Sequence, residues 1–178
     1  TGSQMIVWGG NHETSASGAQ DLGVEEPTLG AIFNPGNVDT TSDDTWQALS
    51  TTNAPSQRKH GVVVWTGNRL LTWGGAYSHT LFYNDGASYD PETDSWTVIS
   101  SVGAPSGREF SAFVWTGSKL LVWGGYNGTE CLDDGALYDP STDTWSPITT
   151  GNAPSARMTT SASWTGDEMI LWGGANVL

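Results

Sequence analysis

The segment WTGSKLLVWGG, residues 115–125, sets two tryptophans eight apart around a Thr-Gly turn and closes on a glycine pair. The same phrase returns as WTGNRLLTWGG at 65–75 and as WTGDEMILWGG at 164–174, and the chain opens on TGSQMIVWGG at 1–10. Self-similarity at a fixed period marks an architecture of stacked units, each too small to bury its own apolar face. Arg58, Arg108 and Arg157 stand 50 and 49 residues apart. Trp65, Trp115 and Trp164 keep that interval, and so do Trp73, Trp123 and Trp172, and Trp46, Trp96 and Trp145. Four features held in phase are not coincidence.

One unit reads as four short strands. Strand A is the run that ends in tryptophan, HGVVVW (60–65) or FSAFVW (110–115). Thr-Gly then turns the chain, because glycine takes the positive φ that tight hairpins demand. Strand B follows as RLLTW (69–73) or KLLVW (119–123) and ends at Gly-Gly, Gly74 and Gly75 or Gly124 and Gly125. Strand C is DGASYD (85–90) or DGALYD (134–139). DPETD and DPSTD turn the chain again, proline fixing φ and aspartate accepting local backbone bonds. Strand D begins at Trp96 or Trp145 and runs into the APS linker before the next arginine.

The period of about 50, the double glycine, and an aromatic followed by six residues and a tryptophan (Tyr89/Trp96, Tyr138/Trp145) together resemble the kelch repeat. The resemblance covers nearly the whole chain. It implies an all-β fold, a β-propeller whose four-stranded units are blades around a central channel. In that register 1–57 is a blade lacking its strand A, 58–107 and 108–156 are full blades, and 157–178 supplies strands A and B of a further one. That makes 13 strands, about three blades' worth. Propellers close with roughly four to eight blades, so the ring is expected to be incomplete within this chain. Either a longer protein or further copies of the chain would complete it. The first unit departs from the pattern: 19 residues (11–29) separate Gly10 from Gly30, against ten (76–85) and nine (126–134) later, and Phe33 stands where the others have tyrosine.

Composition narrows the partners. With 19 acidic and 6 basic residues the net charge is −13, which disfavours nucleic acid and anionic membrane surfaces. No apolar run reaches the ~18–20 residues of a membrane span. Cys131 is alone, so it forms no internal disulfide and anchors no metal cluster. No GxGxxG or P-loop accompanies the glycine pairs. The aspartates of DPETD and DPSTD lack the alternating ligands and final glutamate of an EF-hand loop. No cofactor, metal or catalytic residue is expected. The tryptophans, Trp8 included, read as packing between blades, each burying roughly 150–250 Å².

Two sets of residues are candidates for binding. Three of the six cations, Arg58, Arg108 and Arg157, occupy one repeat position at the entry to strand A. The kelch resemblance places that strand innermost, near the channel mouth. There the guanidinium forks either cap carbonyls and pair ions within the frame or form a ring that receives a carboxylate. The second set lies in the B–C loops, which vary while the frame repeats, as binding loops on a rigid scaffold do. Tyr77, His79, Tyr83, Tyr126 and Glu130 are the expected contacts. The function expected is a non-catalytic module that recognises a protein or glycan through the B–C loop face. A propeller enzyme of galactose-oxidase or sugar-mutarotase type, or a self-assembling structural repeat, are the alternatives, since the fold alone does not decide. A copper-radical site would need two histidines, two tyrosines and a cysteine. The low lysine content and the WTG phrasing suggest a bacterial, exported protein, extracellular or periplasmic.

Overall fold

The computed structural model describes residues 4–10, 30–36 and 43–176. The first B–C loop, 11–29, and the distinctive part of the first C–D turn, 37–42, lie outside the described residues. Every regular element among the described residues is a β-strand. The first sheet is β1 (Met5–Trp8), β2 (Gly30–Asn34) and β3 (Thr45–Ala48). In the second, β4 (Val62–Trp65), β5 (Leu70–Trp73), β8 (Gly86–Asp90) and β9 (Ser95–Ile99) pair in that order. In the third, β10 (Ala112–Trp115), β11 (Leu120–Trp123), β12 (Gly135–Asp139) and β13 (Thr144–Pro147) do the same. A fourth sheet holds β14 (Ser161–Trp164) and β15 (Met169–Trp172). All pairings are antiparallel, and the three, four, four and two strands reproduce the order read from the repeat. Among the described residues the sheets do not close a ring.

Two local features depart from the reading. A short hairpin, β6 (Ala76–Ser78) and β7 (Leu81–Phe82), stands in the second B–C loop, where a plain loop was expected. Strand A also begins two residues late, at Val62 and Ala112. The residues ahead of it, His60 and Phe110, take left-handed backbone with φ of 56° and 57°, as does Thr159 at 53°. That kink turns the main chain toward the neighbouring sheet. The amide of Phe110 donates to the carbonyl of His60 at 3.0 Å, and that of Thr159 to Phe110 at 3.1 Å. At these two junctions the bond links consecutive sheets beside strand A and compensates the left-handed strain.

The core lies between sheets rather than within them. Trp8, Ile32 and Leu49 of the first sheet meet Leu70, Ala87, Tyr89 and Trp96 of the second. Val62, Leu71, Trp73 and Ile99 of the second meet Leu120, Val122, Ala136, Tyr138 and Trp145 of the third. Period-2 alternation gives each strand two faces, and both are used because each full sheet has two neighbours. The rings of cross-strand partners Tyr89 and Trp96 meet at a tilt 4.9 Å apart, and those of Tyr138 and Trp145 at 5.0 Å. From that pair the indole reaches the preceding sheet. Trp96 lies 4.3 Å from Trp8, and Trp145 lies 5.2 Å from Trp73. Trp65 and Trp115 pack partly buried against these clusters, and Trp123 is buried with its N–H on the Asp133 carbonyl. Two tryptophans do not follow the packing expectation: Trp46 is 60% and Trp172 82% exposed. They sit on the outer faces of the first and last sheets, which no other sheet among the described residues covers. Trp164 is half-buried.

A second junction device repeats at the C–D turns. The last aspartate of each turn, Asp94 or Asp143, has left-handed φ (48° and 53°). Its Oδ1 accepts the tyrosine hydroxyl of its own sheet and the amide of Ser50 or Ser100 in the sheet before, at 2.7–2.9 Å. The indole N–H of Trp96 or Trp145 donates to the carbonyl of that same serine. Burial first, and then the aspartate beside it, push both phenols well above their ordinary value of 10.0. In the unfolded chain these tyrosines ionise near pH 10, while in the fold they stay protonated. The stability they confer is therefore complete below pH 10 and is lost as pH rises beyond it. Melting temperature should fall steeply above pH 10, and Tyr138→Phe should flatten that slope. An unchanged slope in the variant would show the alkaline loss to arise elsewhere.

Candidate functional site

The B–C loops and the D–A linkers emerge at one end of the sheets, and the arginines organise that end. Arg108 Nε donates to the Ser106 carbonyl at 2.9 Å, Nη2 to Ser106 Oγ, and Nη1 to the Gly124 carbonyl and to Asp134 Oδ1 at 2.7 Å. Arg58 repeats the set on Ser56, Gly74 and Asp85, with Nη1 2.8 Å from Asp85 Oδ1. Arg157 repeats it on Ser155 and Gly173. A planar fork suits this task because several carbonyls must be met in one plane. The side chain of Arg108 is 0% and that of Arg58 2% exposed, so both forks are occupied by the frame. Arg157 is half-buried.

The arginine carbonyls face the other way. The amides of Gly10, Gly75 and Gly125 donate to the carbonyls of Arg58, Arg108 and Arg157, at 3.1, 2.8 and 2.9 Å. Gly74 and Gly75 have φ of 67° and 89°, and a Cβ on Gly75 would stand 2.7 Å from the Lys59 carbonyl. Gly124 and Gly125 repeat this with φ of 67° and 105°. The glycine pairs let adjacent main chains approach.

Upon this frame the loops differ. In the second sheet the β6–β7 hairpin lifts Tyr77 (58% exposed) and Leu81 (46%) into solvent, with His79 exposed at its turn. Tyr83 is half-buried, its ring stacked under the Arg58 guanidinium at 4.2 Å. Phe82 meets Tyr126 edge-on at 6.1 Å, and its ring lies so close over Gly128 that a Cβ there would fall 2.5 Å from it. Neighbouring loops are thereby locked together. Glu130 is exposed, its amide held by Asn127 Oδ1. Cys131 is buried, with Sγ 3.6 Å from the Ala175 carbonyl.

Tyr77, His79 and Glu130 are thus presented to solvent, whereas Tyr83 and Tyr126 chiefly shape the loops that carry them. Leu81 and Phe82 escaped the sequence reading, although alternation in AYSHTLF already carries a hairpin signal. So did the pair of His60 Nδ1 and Glu109 Oε2, 2.8 Å apart across the second junction, with the imidazole stacked on Phe110 at 4.0 Å. Among the described residues no three His, Cys, Asp or Glu side chains are grouped to hold a metal ion. The arrangement offers apolar knobs and acidic side chains on a stiff base, which is the equipment of recognition.

A comparison with curated proteins finds no match. The family model described as the KLHDC2/KLHL20/DRC7 Kelch-repeats domain matches residues 1–177. Its extent is that of the repeat. The chain belongs to the kelch-repeat family, and its sheets are blades of a β-propeller arc.

Proposed function

We propose that this chain is a non-catalytic kelch module that recognises a protein through its B–C loop end. The observation that carries the reading is the β6–β7 hairpin. It holds Tyr77 and Leu81 in solvent on a base locked by Arg58, Tyr83 and the Phe82–Tyr126 contact. Rigid aromatic and aliphatic anchors on a preorganised base make efficient contacts, because little conformational entropy is left to lose. Glu130 and Asp133 are exposed alongside and have no cationic partner among the described residues. The complementary surface is therefore an apolar segment flanked by lysine or arginine.

Panning a displayed peptide library on the whole chain tests this. Selected peptides should carry Lys or Arg around an apolar residue. Tyr77→Ala combined with Leu81→Ser should weaken their binding more than about tenfold and leave the melting temperature in place. Undiminished binding by that double variant would move the site away from the loop end.

A further inference from the structure

At the opposite end, where the A–B and C–D turns lie, the second and third blades part to leave an open groove of about 640 Å³. One repeat position helps to open it. In the first blade the cross-strand row Ile6–Ile32–Gln47 places Ile32 in the junction, where it is 7% exposed within the core. The same row in the second blade reads Leu71–Ser88–Thr97. Residues directly opposite on paired strands share a face, so a serine faces the third blade where the isoleucine equivalent would have filled the junction. The smaller side chain leaves this part of the junction open to the groove.

Its chemistry is specific. Leu71, Ile99 and Trp115 supply apolar surface, while Ser88, Thr97 and Asn68 supply hydroxyl and amide groups. The hydroxyls of Ser88 and Thr97 carry no bond to any other group of the described chain. Only two charged residues line the groove, and both are occupied. Arg69 is 3.0 Å from Asp90, and Asp143 accepts the Tyr138 hydroxyl and the Ser100 amide. A charged ligand would have to compete with these partners for its counter-ion. A ligand with apolar C–H faces and uncharged hydroxyls would match both the floor and the free donors. The volume falls within the ~300–1,000 Å³ of small-molecule sites. We infer that this groove is a binding site for a neutral saccharide, separate from the loop-end surface.

Calorimetric titration of the whole chain with maltotriose, N,N′-diacetylchitobiose and lactose, and with trigalacturonate as the charged comparison, tests the site. At least one neutral sugar should saturate below about 10 mM, and trigalacturonate should not bind. Ser88→Ile installs the side chain that the fold accepts at position 32. It should abolish binding while holding or raising the melting temperature. Thr97→Val keeps the shape and deletes one hydroxyl, and should weaken binding about two- to tenfold. Should Ser88→Ile fail to fold, the Thr97→Val result decides. The Tyr77→Ala/Leu81→Ser variant should bind as the parent does. Absence of saturable binding by all three neutral sugars, preference for the charged one, or binding untouched by both groove substitutions would overturn the site.

Discussion

Replacing Arg108 with alanine should cost about 3–5 kcal/mol of unfolding free energy, a large part of the ~5–15 kcal/mol of a typical domain. The loss does not come chiefly from the ion pair. Asp134 is 51% exposed, so water screens its attraction to the guanidinium. It comes from the carbonyls of Ser106, Gly124 and Asp134, which all lose a donor at once, and from the void left by a side chain that is 0% exposed. A buried acceptor stripped of its partner forfeits about 1–3 kcal/mol. Asp134→Asn separates the two accounts. It removes the charge and keeps the Oδ1 acceptor, losing only the longer 3.2 Å contact of Nη2 with Oδ2, so it should cost about 1 kcal/mol. Arg108→Lys should recover little, because an ammonium group cannot span three carbonyls in one plane. Urea unfolding of the three variants provides the measurement. An Asp134→Asn loss as large as that of Arg108→Ala would show that Coulomb attraction dominates the node.

The arginine position was conspicuous in sequence, yet its task was not legible there. Periodicity shows that a residue belongs to the frame or to a repeated site, but not which atoms it meets. The partners of Arg58, Gly74 and Asp85, lie 16 and 27 residues away and become neighbours only once strands B and C pair. The strands themselves were legible for the opposite reason. Their signals are local: β-branched and aromatic runs, Thr-Gly turns and Asp-Pro turns at fixed offsets.

His60 shows where local signals mislead. It continues an apolar run into strand A by composition, but its left-handed backbone is fixed by a hydrogen bond to the next blade. The second aspartate of DPETD misleads similarly. The first one behaves as turn chemistry dictates, Asp90 accepting the Glu92 amide. Asp94 instead reaches the preceding blade, which no spacing within the turn discloses. The groove between the second and third blades was legible only in part. Ser88 against Ile32 is visible by aligning the units, but its meaning depends on the row facing a junction rather than solvent. The binding loops lay between these cases, since their variation against a constant frame marks the face while exposure selects Tyr77 and Leu81 from it.

Trp145→Ala should split the molecule's cooperativity as well as lower its stability. The indole fills the junction between the second and third blades, packed on Trp73 and Tyr138, and its N–H satisfies the Ser100 carbonyl at 2.8 Å. Truncating a buried tryptophan to alanine costs about 3–5 kcal/mol. Here that loss falls on an interface between repeats rather than inside one. In a repeat array the interface terms couple the units, and weakening one of them lets the units on either side unfold separately. The parent should unfold in one denaturant transition across its described blades, and the variant in two. Hydrogen exchange should accelerate first at Leu120–Trp123 and Gly135–Asp139, the strands that lose the indole, while Leu70–Trp73 keeps protection from its contacts with the first blade. Trp145→Phe retains an aromatic body and deletes the N–H, so it should fall between the parent and alanine. Trp46→Ala is the control: that side chain has the same place in its repeat but is 60% exposed, and its loss should stay near 0.5 kcal/mol or below. If Trp145→Ala lowers stability without dividing the transition, the blades are coupled mainly through their inter-blade hydrogen bonds, those of His60, Phe110 and Thr159, of Gly75 and Gly125, and of Asp94 and Asp143. Replacement of the indole would then be a local defect and not an uncoupling.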